Sequence, residues 1–187
     1  MVELDGYIDF DGTLTTSHSH FGLHVMGAKK ELSKILKLGY YGLICLYKDK
    51  TGLDISSELE EMATVLEGLT FSRTSDLVEK MYVNENLDIV GKILEKSKDI
   101  NLTIITRNDK DFVDTCIERL QPELSYGFGI NIIGVIGNQY KKVNGVYTGE
   151  VRIKVSNNKQ NFFDGKPFFG DEQDGWKYKN YDMFVKV

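Results

Sequence analysis

Asp9 and Asp11 stand two residues apart, after Tyr7-Ile8 and before Gly12-Thr13. A β-prone run from Leu4 to Phe10 stops at the Asp11-Gly12 turn, so the first acid is fixed at a strand end and the second is swung round beside it. Two carboxylates at that spacing repel each other in a partly buried site unless a cation neutralises them. Oxygen ligands without a neighbouring His/Cys set favour Mg2+, which keeps several waters and binds through few carboxylates. Such a site suits a phosphate monoester, whose reaction depends mostly on positioning and charge neutralisation. A carboxylate nucleophile divides the hydrolysis into two easier steps through an aspartyl phosphate. A lysine and hydroxyl or backbone donors must then hold the remaining phosphoryl oxygens.

The elements that would position these groups are legible in outline. Helical character runs from about Phe21 to Lys98. Within it Ser57-Glu58-Leu59-Glu60 has a capping-box pattern. Leu59, Met62, Ala63 and Leu66 then recur at helical spacing, as do Leu87, Val90, Ile93 and Leu94. Leu102 to Thr106 is apolar and β-branched, a buried strand. Asp109 is placed to cap a following helix with the stripe Phe112, Val113, Cys116, Ile117 and Leu120. Ile130 to Ile136 reads as another strand, Asn144-Gly145 as a hairpin turn, and Pro167-Phe168-Phe169 and Asp182 to Val187 as closing strands. This order specifies an α/β sheet carrying a helical insertion. Open parallel sheets bind ligands beyond the carboxyl ends of their strands. Asp9 to Thr13, Thr106-Arg107-Asn108 and Gly170-Asp171-Glu172 all fall there, and Asp171 completes an anionic cradle.

These residues resemble the haloacid dehalogenase (HAD) superfamily of phosphatases. Tyr7 to Thr15 matches its first motif, Ile104-Ile105-Thr106 its second, and Phe168-Phe169-Gly170-Asp171-Glu172-Gln173-Asp174 its fourth, in the family's order and across nearly the whole chain. The helical block and the Asn144 to Gly149 hairpin are similar to the phosphoserine-phosphatase-like branch. The resemblance implies a three-layer, Rossmann-like α/β core with a parallel sheet, formed by residues 1–14 and 86–187, and an inserted helical cap formed by residues 15–85. It implies a Mg2+-dependent phosphomonoester hydrolase acting on a small phosphorylated metabolite. Asp9 would be the nucleophile. Asp11 would protonate the leaving oxygen and then activate water, with its carbonyl on the metal. Thr106 would bind phosphoryl oxygens, and Asp171 would bind Mg2+ directly or through water. The motif's later acid is displaced here, because position 175 is glycine; Asp174 or Glu172 is left to assist Asp171. For the family's lysine, Lys159 after Asn157-Asn158 is preferred to Lys154, which alternation puts on a polar strand face. The phosphoserine enzymes carry an acid shortly after the first motif for the substrate amine; Thr15 to His20 contains none, so phosphoserine itself is not the expected substrate.

Other side chains carry weaker signals. Arg107 is set either to reach the phosphate or substrate, or to pair near Asp109 or Asp111. His18, His20 and His24 lack a third ligand type and read as a polar segment leading into the cap, with one of them possible in the pocket. Arg73 reads as exposed, and Tyr40, Tyr41, Phe162 and Phe163 as packing. The 187 residues, 41% hydrophobic and 27% charged, suit one core domain with a modest insertion. A net charge of −5 without a basic run disfavours nucleic acid. No run approaches the ~20 apolar residues of a membrane span, and the first residues lack the signature of a secretory signal. Cys45 and Cys116, far apart, read as reduced thiols of a cytoplasmic protein. The sequence sets no oligomeric state. A phosphotransferase using the same phospho-aspartate, or a non-catalytic binding module on the HAD fold, are the competing functions.

Overall fold

The computed structural model describes residues 3–29, 31–178 and 180–187, without the side chains of Glu172, Gln173 and Trp176. Six strands form one sheet: β1 (Gly6–Ile8), β2 (Ile100–Asp109), β3 (Ile130–Val143), β4 (Val146–Arg152), β5 (Phe168–Gly170) and β6 (Phe184–Lys186), in the order β4-β3-β2-β1-β5-β6. β4 is antiparallel to β3, and the remaining pairs are parallel.

Alternation along the strands builds two cores. Ile8, Leu102, Ile104, Ile130 and Phe169 face one side, where α5 (Asp88–Ile93) contributes Val90 and α6 (Lys110–Phe128) contributes Phe112, Val113, Cys116, Ile117 and Leu120. Tyr7, Ile105 and Phe168 face the other, against Phe163 and Tyr178. Phe163 follows a 3-10 turn, Lys159–Phe162, and Tyr178 ends α7 (Glu172–Lys177). The result is the expected three-layer α/β arrangement.

Between β1 and β2 lie α1 (Ser19–Ala28), α2 (Leu32–Thr51), α3 (Ser56–Ala63), α4 (Ser75–Val78) and three 3-10 turns, before α5. Leu59, Met62, Ala63 and Leu66 are all buried, whereas Ile93 is half exposed and only Leu87 and Val90 of the second series are buried. The expected capping box does not form. Ser57 lies inside the first turn of α3, and Asp54 Oδ1 accepts from the Ser56 amide and hydroxyl instead. Asp109 occupies the position before α6 without capping it, because its carboxylate is drawn to Tyr147 Oη at 2.7 Å and Lys142 Nζ at 2.9 Å.

Asn144 and Gly145 both take positive φ (51° and 75°), the two-residue turn that matches strand twist, so β3 and β4 form the predicted hairpin. Its far side is stitched to the helical segment. Gly68 N donates to Tyr147 O (3.0 Å), Tyr147 N to Leu69 O (2.9 Å) and Phe71 N to Gly145 O (2.7 Å). Leu23, Ala63, Leu66, Leu69, Tyr140 and Tyr147 pack as one apolar cluster across the same junction.

Candidate active site

Asp9 and Asp11 occupy a tight turn. Leu14 N and Thr15 N donate back to Asp9 O and Phe10 O at 3.2 and 3.1 Å, and Gly12 has φ +78°. A Cβ at Gly12 would lie 3.0 Å from Asp171 Oδ2, so the turn requires glycine on both conformational and steric grounds. Asp9 Oδ1 accepts from its neighbour's amide, Phe10 N, at 2.8 Å and meets Lys159 Nζ at 2.9 Å. Asp11 is held elsewhere. Its Oδ1 accepts from Ser19 N and Ser19 Oγ, both at 2.7 Å, and its Oδ2 from His20 N at 3.2 Å and Asn108 Nδ2 at 3.4 Å. α1 has no side-chain cap of its own, so Asp11 satisfies its first amides from a distant turn and sits in the favourable end of its dipole.

The ladder between β2 and β3 breaks after Ile105 and resumes at Asp109. Thr106, Arg107 and Asn108 therefore bulge out of register at the strand end, the kind of irregularity that re-aims side chains beside a site. Thr106 is buried, and its Oγ1 accepts from Asn108 N at 3.1 Å. Asn108 also donates to Ser19 Oγ at 2.7 Å, tying the bulge to α1. Beyond β5, Asp171 Oδ1 caps α7 by accepting from Asp174 N at 2.9 Å. Asp174 points back to Lys159 Nζ at 3.1 Å, so the buried ammonium bridges Asp9 and Asp174. Lys154 is exposed and does not line the cavity. Glu172, whose side chain lies outside the described residues, cannot be compared with Asp174.

Asp9, Asp11, Thr106, Arg107, Asn108, Lys159, Asp171 and Asp174 line one cavity of about 650 Å3, together with Asp49 of α2 and Lys177 of α7. Asp49 binds Arg107 Nη1 at 3.2 Å and also Lys177. Among the described residues Arg107's ion-pair partner is thus in α2; of the two alternatives read from the sequence, the pairing near Asp109 or Asp111 does not form, and Arg107 lines the cavity. Five carboxylates (Asp9, Asp11, Asp49, Asp171, Asp174) face three cations (Arg107, Lys159, Lys177). The donors are oxygens only, the hard set that Mg2+ takes. Among the described residues no three His, Cys, Asp or Glu side chains are grouped to hold a metal by themselves, so a bound ion would have to complete its shell with waters or main-chain oxygens. The residues present fit such a metal.

Protonation follows burial and partners. Burial raises Asp11 above the ordinary carboxylate range, although Ser19 and His20 pull it down. Burial pushes Asp174 up to about 6 against the opposing pull of Lys159. Burial alone would lower Lys159, but Asp174 and Asp9 outweigh it and hold the ammonium charged. His20 and His24 are driven down by burial, His24 to about 4, so both are neutral near pH 7.

The structure therefore brings Asp9, Asp11, Thr106, Arg107, Lys159 and Asp171 to one cavity, with His18 and His20 on its wall and His24 buried behind. Sequence reasoning missed Ser19, Asn108, Asp49 and Lys177. Asn108 had the signal of its place beside Thr106; the others are defined by tertiary contact alone.

No family model and no curated protein matches the sequence. Solved structures do. A phospho-aspartyl intermediate analogue of phosphoserine phosphatase superposes with a TM-score of 0.62 at 15% identity, over 98% of this chain and 86% of that one. Phosphoserine phosphatase from T. onnurineus gives 0.59 at 16% identity, over 98% and 84%. A HAD family hydrolase from Salmonella enterica serovar Typhi gives 0.53 at 14%, over 82% and 47%. The chain has the fold of the HAD phosphatases, and within them that of the phosphoserine phosphatase type.

Proposed function

We propose that this protein is a Mg2+-dependent phosphomonoester hydrolase acting on a small phosphorylated metabolite through phospho-Asp9. Residues 1–14 and 86–187 serve as the core and residues 15–85 as a cap over the site. The observation that carries the reading is Lys159 Nζ, buried at the cavity floor between Asp9 and Asp174, where the ends of β1, β2 and β5 meet. A buried ammonium beside a carboxylate at strand ends is a seat for a phosphoryl group that must approach an anionic nucleophile.

Asp9 attacks phosphorus, the ester bond to the leaving oxygen breaks, and Asp11 gives that oxygen its proton. Asp11, then ionised, takes a proton from water as the water attacks phospho-Asp9, releasing inorganic phosphate and restoring the Asp9 carboxylate. The raised pKa of Asp11 suits a group that must hold a proton in one step and accept one in the next. Lys159 and Thr106 hold phosphoryl oxygens, and Asn108 and Ser19 orient Thr106 and Asp11. Asp9, the Asp11 carbonyl and Asp171 would hold Mg2+, which would supply positive charge to the phosphoryl oxygens. Phosphate release from p-nitrophenyl phosphate, with and without Mg2+, tests the reading. Turnover is expected with the metal and is abolished in Asp9→Asn; turnover surviving in Asp9→Asn refutes the mechanism.

A further inference from the structure

The cavity has two unlike halves. Charged groups are gathered on its floor, while the wall opposite is apolar: Leu38, Leu43 and Leu46 of α2, Ile55, and Leu59 and Met62 of α3. The polar groups on that wall are spent or neutral. Asp49 is paired with Arg107 and Lys177, and Cys45 is kept a thiol by burial, its pKa pushed to about 11. Among the described residues, no unpaired charge lines that wall for an ammonium or carboxylate on the leaving group. Gly39 and Gly42 lie on the same face of α2, and a Cβ on either would meet nothing within 4 Å. Glycine inside a helix costs stability relative to alanine, and here the two leave room along the cavity's α2 wall. At about 650 Å3 the cavity lies in the range of pockets that enclose a drug-sized ligand, about 300–1,000 Å3. A phosphoryl group with two or three carbons leaves most of it empty. The apolar lining also runs out to the surface: Leu43 is 70% exposed and Leu46 56%.

We propose that the substrate is the monophosphate ester of an apolar alcohol, an alkyl, prenyl or aryl chain lying under α2 against Leu43, Leu46, Leu59 and Met62. The inference rests on the phosphatase reading for its chemistry: water cleaves the P–O bond, and the alcohol departs with the proton from Asp11. It does not rest on that reading for binding.

The test is kcat/KM across ethyl, butyl, hexyl and octyl phosphate, with O-phosphoserine and glycerol 3-phosphate beside them. Each buried methylene should raise kcat/KM about three- to fourfold, so octyl, six methylenes longer, exceeds ethyl by roughly a thousandfold and the polar esters fall below butyl. Gly42→Leu should flatten the series, with its fold checked by circular dichroism. Titration of ethyl and octyl phosphate into Asp9→Asn protein reads binding without turnover, and the same chain-length preference is expected. Turnover with a flat or falling series overturns the inference and leaves the phosphatase reading standing. Binding that favours octyl with no ester hydrolysed does the reverse. Dodecyl phosphate in solution or in phosphatidylcholine vesicles separates a dissolved source from a bilayer source; turnover in either form supports the inference.

Discussion

Protonation of His24 should destabilise the folded protein as the pH falls from 6.5 toward 4. The side chain is fully buried, its Nδ1 is 2.8 Å from His20 O, and its Nε2 has no partner among the described residues. The neighbouring rings are His20, 4.6 Å away, and Tyr140, 6.0 Å away; neither offers a negative charge. Its folded pKa of about 4 lies below the ordinary 6.5, so the unfolded chain binds more protons throughout that interval. Stability from this group is complete above pH 6.5 and is lost as the pH drops to 4. Linkage puts the loss at about 2 kcal/mol by pH 5. Asp174 works with the opposite sign: raised to about 6, it binds its proton earlier in the folded state and adds stability between 6 and 3.8. The wild-type curve alone therefore mixes these two with the lowered His20 and the raised Asp11 and Asp109. Urea unfolding of wild type and His24→Phe at pH 7.5, 6.5, 5.5 and 5.0 isolates the histidine, and the difference between the curves should change by about 2 kcal/mol. Parallel curves would refute the reasoning. The effect reaches the chemistry because α1 carries the amides that hold Asp11.

Lys159→Ala should lower kcat/KM by about a hundredfold or more, the usual loss for a donor aimed at transition-state charge, while Lys154→Ala leaves it within twofold; phosphate-release kinetics on both check the ranking. Gly12→Ala should lose most of its activity without losing its secondary structure, since the turn has positive φ and the new Cβ meets Asp171, and circular dichroism beside the assay separates the two effects. Tyr147→Phe should cost about 1–3 kcal/mol in urea unfolding by removing one of two donors from fully buried Asp109; an unchanged midpoint would place no weight on that bond.

The parts of the fold that a sequence can encode locally were readable. Asp11-Gly12 and Asn144-Gly145 declare turns because few other residues tolerate those backbones, and the stripe of α6 declares its face through period alone. The α3 start was misassigned because Ser57 and Glu60 fit a pattern that Asp54, three residues before Ser57, satisfies better in three dimensions. At the site, the acids announced themselves as strand-end residues, and Lys159 was distinguishable from Lys154 by its setting. Ser19, Asp49 and Lys177 could not be found that way. Ser19 matters only because Asp11, eight residues earlier, folds onto its amide. Asp49 matters only because α2 lies over the β2 bulge and presents it to Arg107.

The bonds between residues 68–71 and the hairpin carry a consequence for traffic through the molecule. A wholesale swing of the helices off the sheet would have to break them and wet the Leu23–Tyr147 cluster. That flank is tied down, so on the proposed reading a ligand would enter on the other one, beneath α2, where Leu43 and Leu46 line the cavity and are exposed. The same backbone pairing occupies the outer margin of β4, leaving less of that strand as a template for another chain's sheet.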